Sequence, residues 1–170
     1  LIGIIHSDDF YTNKFVIEKI VKSIEENNSD AVYADLYYVD KVDTNKIFRK
    51  WKSGNYKDGQ FLNGWMPPHP TFFVKRSCYE KFGSFNLSFV SAADYELMLR
   101  FIHKHKINLF YLPEFIVKMR VGGKSNVTLK NRIRANKEDR KAWIVNGLIP
   151  KFYTLYLKPL RKIIQLFTDR

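Results

Sequence analysis

Five residues that read as a buried strand, Leu1-Ile2-Gly3-Ile4-Ile5, run straight into the polar turn His6-Ser7-Asp8-Asp9, and a segment with helical spacing follows. Strand, acidic loop and helix in that order restrict the chain to folds in which strands and helices alternate. A short all-apolar run suits a strand with neighbours on both sides, as in a parallel core sheet. Further strands are therefore expected ahead of Leu1, or else a depleted sheet. Thr12 or Asn13 is placed to cap a helix reaching about Asn27, with Ile17, Ile20, Val21 and Ile24 on its apolar face.

The alternation continues. Residues 30–40 (DAVYADLYYVD) and 46–51 have the Val, Tyr, Phe and Trp content of strands. Residues 53–70 hold three glycines and three prolines among Phe61, Leu62, Trp65 and Met66, which predicts an ordered loop that shapes a site. A short strand is expected over 71–74, a short helix over 77–82 that stops at Gly83, and a longer helix over 93–105 with Leu97, Met98, Phe101 and Ile102 as its stripe. Residues 109–112 and 115–121 read as two last strands ending at Gly122-Gly123. A charged helix over 128–146 follows. In residues 151–168, Phe152, Tyr156, Leu160, Ile163, Ile164 and Phe167 recur at helical spacing, with Lys158, Arg161 and Lys162 off the stripe. The fold class is α/β, and 170 residues suit one core with appendages.

Charge is unevenly divided. Residues 1–100 carry 13 Lys/Arg and 13 Asp/Glu, whereas residues 101–170 carry 16 and 4, which accounts for the whole net charge of +12. A basic tail of this kind fits an anionic partner, phospholipid or nucleic acid, or is simply a solvated helical face. Cys78 is the single cysteine and has no internal partner, and no Cys/His cluster has zinc-site spacing. A reducing, cytoplasmic setting is expected. The opening run is too short for a signal peptide and lacks its basic flank, and no run reaches the ~18–20 apolar residues of a spanning helix.

Asp8 and Asp9 are adjacent carboxylates after a strand, where open α/β sheets put their ligands. Their hard oxygens suit Mn²⁺ or Mg²⁺, while a pair of acids at a helix start also serves as a cap. Asp94, behind Ser91-Ala92-Ala93, heads a helix, where the dipole favours the ionised form that a general base needs. Glu96 is the other carboxylate near that turn. His69, between Pro68 and Pro70, is positioned to donate to a phosphate, ligate a metal, or pack and satisfy a carbonyl. His103 and His105 look like a solvated last turn. Trp65 would stack on a sugar face or anchor its own loop.

Four stretches in this order, His6-Ser7-Asp8-Asp9, His69-Pro70-Thr71-Phe72-Phe73-Val74-Lys75-Arg76-Ser77, Phe82-Gly83-Ser84-Phe85-Asn86 and Ala92-Ala93-Asp94-Tyr95-Glu96-Leu97, resemble the inverting family 2 glycosyltransferases of GT-A fold, in particular bacterial enzymes of cell-surface polysaccharide synthesis. The resemblance covers residues 1–126, as the C-terminal part of a catalytic domain whose nucleotide-binding strands lie upstream, with 127–170 as a basic helical tail. It implies that Asp8 and Asp9 contact the metal (Asp9 directly) and the nucleotide; His69 is a candidate for the same cofactor site on its residue type and position alone. It implies that Asp94 is the catalytic base, and that a nucleotide-diphospho-sugar, in the first instance a UDP-sugar, donates to a saccharide or lipid-linked acceptor. Asn86 stands where the family usually has Asp, at a position that reads as a structural turn.

Residues 151–168 are expected to form an interfacial helix at the inner face of the membrane. An open sheet edge would admit a homodimer. The alternative function is a non-catalytic basic module for anionic lipid or nucleic acid; no aromatic-basic nucleic-acid signature is present, so no nucleic-acid partner is expected. A metal-dependent phosphohydrolase would need further acids or histidines to complete the Asp8/Asp9 pair.

Overall fold

The computed structural model describes residues 1–122, 129–158, 160 and 161. Its strands are β1 (Ile2–Gly3), β2 (Asp9–Tyr11), β3 (Ala31–Val39), β4 (Ile47–Trp51), β5 (Phe73–Val74) and β6 (Leu109–Arg120). The helices are α1 (Val16–Glu26), α2 (Arg76–Phe82), α3 (Ala93–Met98) and α4 (Leu129–Val145), and α3 continues as a π-helical turn over Leu99–Lys104. The strands form one open, mixed sheet in the order β1-β5-β3-β6-β2, with β4 also on β3. Only β3 and β6 run parallel. The architecture is thus mixed α/β with flanking helices.

β3 is the centre because its sequence buries both faces. Val32, Ala34 and Leu36 pack with Val16, Ile20 and Ile24 of α1, while Ala31 and Tyr33 join the core of Phe61, Trp65, Tyr95, Phe101 and Trp143 on the other side. Period-2 alternation assigns the two sets to opposite faces. The loop over residues 53–70 is ordered, as its composition predicts. Gly59 and Gly64 hold left-handed conformations at either end of a 3₁₀ turn, Gln60–Asn63. Trp65 is buried and donates Nε1–H to the carbonyl of Ser53 at 3.0 Å, so it anchors the loop and presents no face to a sugar. The helix stop at Gly83 (φ +87°) and the buried Leu97, Met98, Phe101 and Ile102 also follow the sequence.

Several expectations are corrected. Leu1–Ile5 is not a buried strand: only Ile2 and Gly3 pair, with β5 alone, and Leu1, Ile4 and Ile5 are exposed. The run lies at a sheet edge, where the apolar pattern of an interior strand finds only one neighbour. Neither Thr12 nor Asn13 caps α1. The chain first makes β2 against β6, Asn13 Oδ1 then accepts the N–H of Phe15 at 2.9 Å, and the helix begins at Val16. That later start puts Val16, Ile20 and Ile24 inward and leaves Ile17 and Val21 exposed.

The two expected last strands are one. β6 crosses Pro113-Glu114 because the ladder shifts there: Leu112 faces Ala34, and Phe115 faces the next residue, Asp35. The extra residues form a bulge, which tolerates a residue without an N–H. The expected solvated last turn holds for His105, which is exposed with Lys104 and Lys106 and stacks on Phe82 at 4.1 Å, but not for His103, which is partly buried against Phe61 and Trp143.

α4 occupies 129–145, near the expected 128–146, and docks on α3 through Trp143. That side chain is fully buried and donates Nε1–H to Tyr95 Oη at 2.9 Å. Residues 154–158, 160 and 161 are helical. The remainder of the predicted tail stripe (Ile163, Ile164, Phe167) and Gly123 of the expected Gly122-Gly123 strand end lie outside the described residues. No helix among the described residues is long and apolar enough to cross a membrane.

Candidate active site

β2 begins at Asp9, so the His6–Asp8 turn sits where the chain enters the sheet, closed by the N–H of Asp9 donating to His6 O at 3.0 Å. Arg120, at the end of β6, pins the turn by donating Nη1–H to Asp8 O at 2.7 Å. Across from it, the 3₁₀ turn His69–Thr71 is fixed from beneath: Thr71 is fully buried, and its hydroxyl donates within reach of Pro68 O and Ala34 O while accepting the N–H of Ala34. The histidine beside that anchor therefore has a defined direction.

His69 links two segments that are far apart in sequence. Its Nε2 is 2.8 Å from Nε2 of His6, and its Nδ1 faces Asp94 Oδ2 at 3.3 Å. The two Nε2 atoms share one hydrogen, supplied by either ring according to its tautomer, and the Asp94 carboxylate lies within ion-pair distance of the His69 ring. Contacts thus run from His6 to His69 to Asp94. They join the acidic turn to the head of α3.

Asp94 lies in the first turn of α3 but caps nothing, since no side-chain bond closes that end of the helix. Glu138 of α4 takes over: its Oε2 accepts the N–H groups of Val90, Ser91 and Ala92 at 3.1, 2.7 and 2.9 Å. The exposed end is satisfied by another helix, and Asp94 is left for His69. A shallow hollow of about 330 Å³ opens beside Glu138, lined by Ile133, Arg134, Lys137 and Lys141. It lies on α4 and includes none of the residues singled out from the sequence. Glu96 is excluded as a base, because it is buried and engaged by Arg100 and Asn146. Asn86 is the structural turn expected of it, its Oδ1 accepting the N–H of Ser88 at 3.0 Å.

Asp8 is exposed, whereas Asp9 is half-buried with Oδ2 fully covered and no hydrogen-bond donor in reach. Burial, and secondly the charge of Asp8, push the Asp9 carboxyl up from 3.8 to about 6 against the opposing pull of His6 and Arg120. An orphaned carboxylate oxygen beside a second carboxylate fits a hard divalent cation. Among the described residues no three His, Cys, Asp or Glu converge as a closed cage. Such a cation would share its remaining positions with substrate oxygens and water, as Mg²⁺ commonly does.

The raised value has a testable sign. The folded chain binds more protons than the unfolded one between about pH 4 and 6, so an ionised Asp9 weakens the cation-free fold above pH 6, and the penalty is relieved as pH falls through 6. Asp9→Asn is expected to stabilise the cation-free protein at pH 7.5 by about 1 kcal/mol, a figure reduced for the solvent that reaches this half-exposed group. The gain should shrink as pH falls below 6 and vanish only near pH 4 in paired thermal melts. Loss of stability on Asp9→Asn at pH 7.5 would show that the carboxylate has a partner in the fold.

His6 is the member of this arrangement to which the sequence alone assigned no role. Its signal was position: a histidine at the end of a strand, two residues before an Asp-Asp pair. Compared with known proteins, the chain matches no family model and no curated sequence.

Proposed function

We propose that this chain is the acceptor-side part of a GT-A glycosyltransferase catalytic domain of the family 2 type, transferring a sugar with inversion from a nucleoside diphosphate donor to a hydroxyl. One observation carries the reading. The His6–His69–Asp94 chain brings the turn with two carboxylates and the carboxylate at the head of α3 to one place, as transfer of a sugar between a bound diphosphate and an acceptor requires.

Asp94 takes the proton of the acceptor hydroxyl as that oxygen attacks the anomeric carbon and the diphosphate departs. His69 lies against the Asp94 carboxylate through Nδ1, and His6 contacts the other side of its ring. Asp9 and Asp8 would hold Mn²⁺ or Mg²⁺, which when bound supplies positive charge to the departing diphosphate. The orphaned Oδ2 of Asp9 supports this role, and its raised pKa predicts cation affinity that falls about tenfold per pH unit below 6. The family resemblance favours a UDP-sugar as donor and a saccharide or lipid-linked acceptor in cell-surface polysaccharide synthesis, on the cytoplasmic side of the membrane.

The test is calorimetric titration of the protein with UDP and other nucleoside diphosphates, with and without Mn²⁺. Binding that requires Mn²⁺ and is lost in Asp9→Asn supports the reading. Cation-independent binding unaffected by Asp9→Asn would replace it with the alternative of a non-catalytic anion-binding module.

A further inference from the structure

The last described turn of the chain wears its apolar side outward. Phe152, Tyr156 and Leu160 recur every four positions and are 88%, 74% and 47% exposed, and Ile149 ahead of them is 88% exposed. An amphipathic segment that folds back onto its own domain turns its apolar stripe inward. Here polar contacts hold the inward side. Thr154 is buried and donates its hydroxyl to Leu62 O at 2.7 Å. Lys158 Nζ lies 2.7 Å from Asp139 Oδ1 and 3.5 Å from the centre of the Tyr95 ring. The backbone at Leu157 and Lys158 presses on Gly64 at φ +73°, where there is no room for a β-carbon. Arg161 donates to Asn63 O at 3.4 Å. The segment is clamped in one orientation, which fixes the stripe on the outside.

Charge decides what covers it. Residues 129–161 contain nine Lys/Arg and two acids, Glu138 and Asp139. Both acids are engaged within the fold, Glu138 by the N–H groups of residues 90–92 and Asp139 by Lys158. Of the cations whose side chains are described, Arg134, Lys137, Arg140 and Lys141 of α4 are exposed, and so is Lys151, next to Phe152 in the chain. A second copy of the chain would oppose cations to cations across a two-fold axis, and a nucleic acid would leave the aliphatic members Ile149 and Leu160 without a partner. An anionic bilayer takes both parts: the apolar side chains enter the headgroup boundary, and the cations meet lipid phosphates.

We propose that Ile149, Phe152, Tyr156 and Leu160, with Lys151 and Arg161 alongside, form the surface by which this protein docks on an anionic lipid bilayer. The proposal stands independently of the transferase reading. It predicts co-sedimentation of the full chain with mixed phosphatidylcholine–phosphatidylglycerol vesicles at low salt and much weaker binding to pure phosphatidylcholine. The double variant Phe152→Ser/Tyr156→Ser changes two exposed side chains, so its thermal melt should match the parent. Its partitioning into the mixed vesicles should fall at least about tenfold, since each aromatic contributes buried apolar area at the interface. Three results would each overturn the proposal: absence of wild-type binding to the mixed vesicles, equal binding by the double variant, or light scattering that shows a wild-type dimer dispersed by the two substitutions.

Discussion

Arg100→Ala should lower the free energy of unfolding by about 3–5 kcal/mol, the range for removing one partner of a buried ion pair. The guanidinium uses all five of its N–H groups. Nε and Nη2 grip the two oxygens of Glu96 at 2.8 and 3.1 Å, Nη1 serves the carbonyls of Phe82 and Gly83, and the remaining Nη2 hydrogen reaches Ser84 O at 2.8 Å. Alanine strands a buried carboxylate and the part-buried carbonyl of Phe82, while the carbonyls of Gly83 and Ser84 are exposed and can turn to water. Among the contacts described, Glu96 would retain only Asn146 Nδ2, at 2.9 Å. Arg100→Lys should recover little, because one ammonium cannot span five acceptors in a plane. Replacing Glu96 and Arg100 together with methionine should recover part of the loss by removing the orphaned charge. Urea unfolding of the three variants measures these differences. If Arg100→Ala costs less than 1 kcal/mol, the network does not hold α3 to the α2 terminus.

The parts of the fold that were legible are those where local chemistry and tertiary packing agree. The stop at Gly83, the stripe of the 93–105 helix and the ordered glycine-proline loop all depend on neighbours within a few residues. The misread parts depend on partners far along the chain. Pro113 breaks a strand by any local rule, yet β6 passes it because β3 offers a compensating shift of register at Asp35. Residues 9–11 carry no strand signal of their own and become β2 only by pairing with residues 117–119. The start of α1 moved for that reason, and its apolar face rotated with it. At the site, Asp8, Asp9, His69 and Asp94 were singled out by residue type and position. What the sequence could not supply was connection: the His6–His69 contact bridges 63 residues, and the single carboxylate of Glu138 that frees Asp94 from capping comes from a helix that reads only as charged surface.

Asp94→Asn is the sharpest single change for the proposed chemistry, with an expected loss of about 10³-fold in transfer rate, within the span usual for a general base. The amide has the shape of the carboxylate and keeps an oxygen facing His69, so stability should change little. It has no basicity with which to take the acceptor's proton, and kcat should therefore fall while Mn²⁺-dependent nucleoside diphosphate binding stays intact. Asp9→Asn should do the reverse, losing the binding first. His69→Ala leaves the carboxylate in place without the ring beside it, so the loss should be partial, roughly tenfold to a hundredfold. The ordering of the three variants carries the argument. Asp94 is the only carboxylate of α3 left for chemistry, since Glu96 is committed to Arg100. Retention of more than a tenth of the transfer rate by Asp94→Asn would leave α3 without a base and transfer the role to another element.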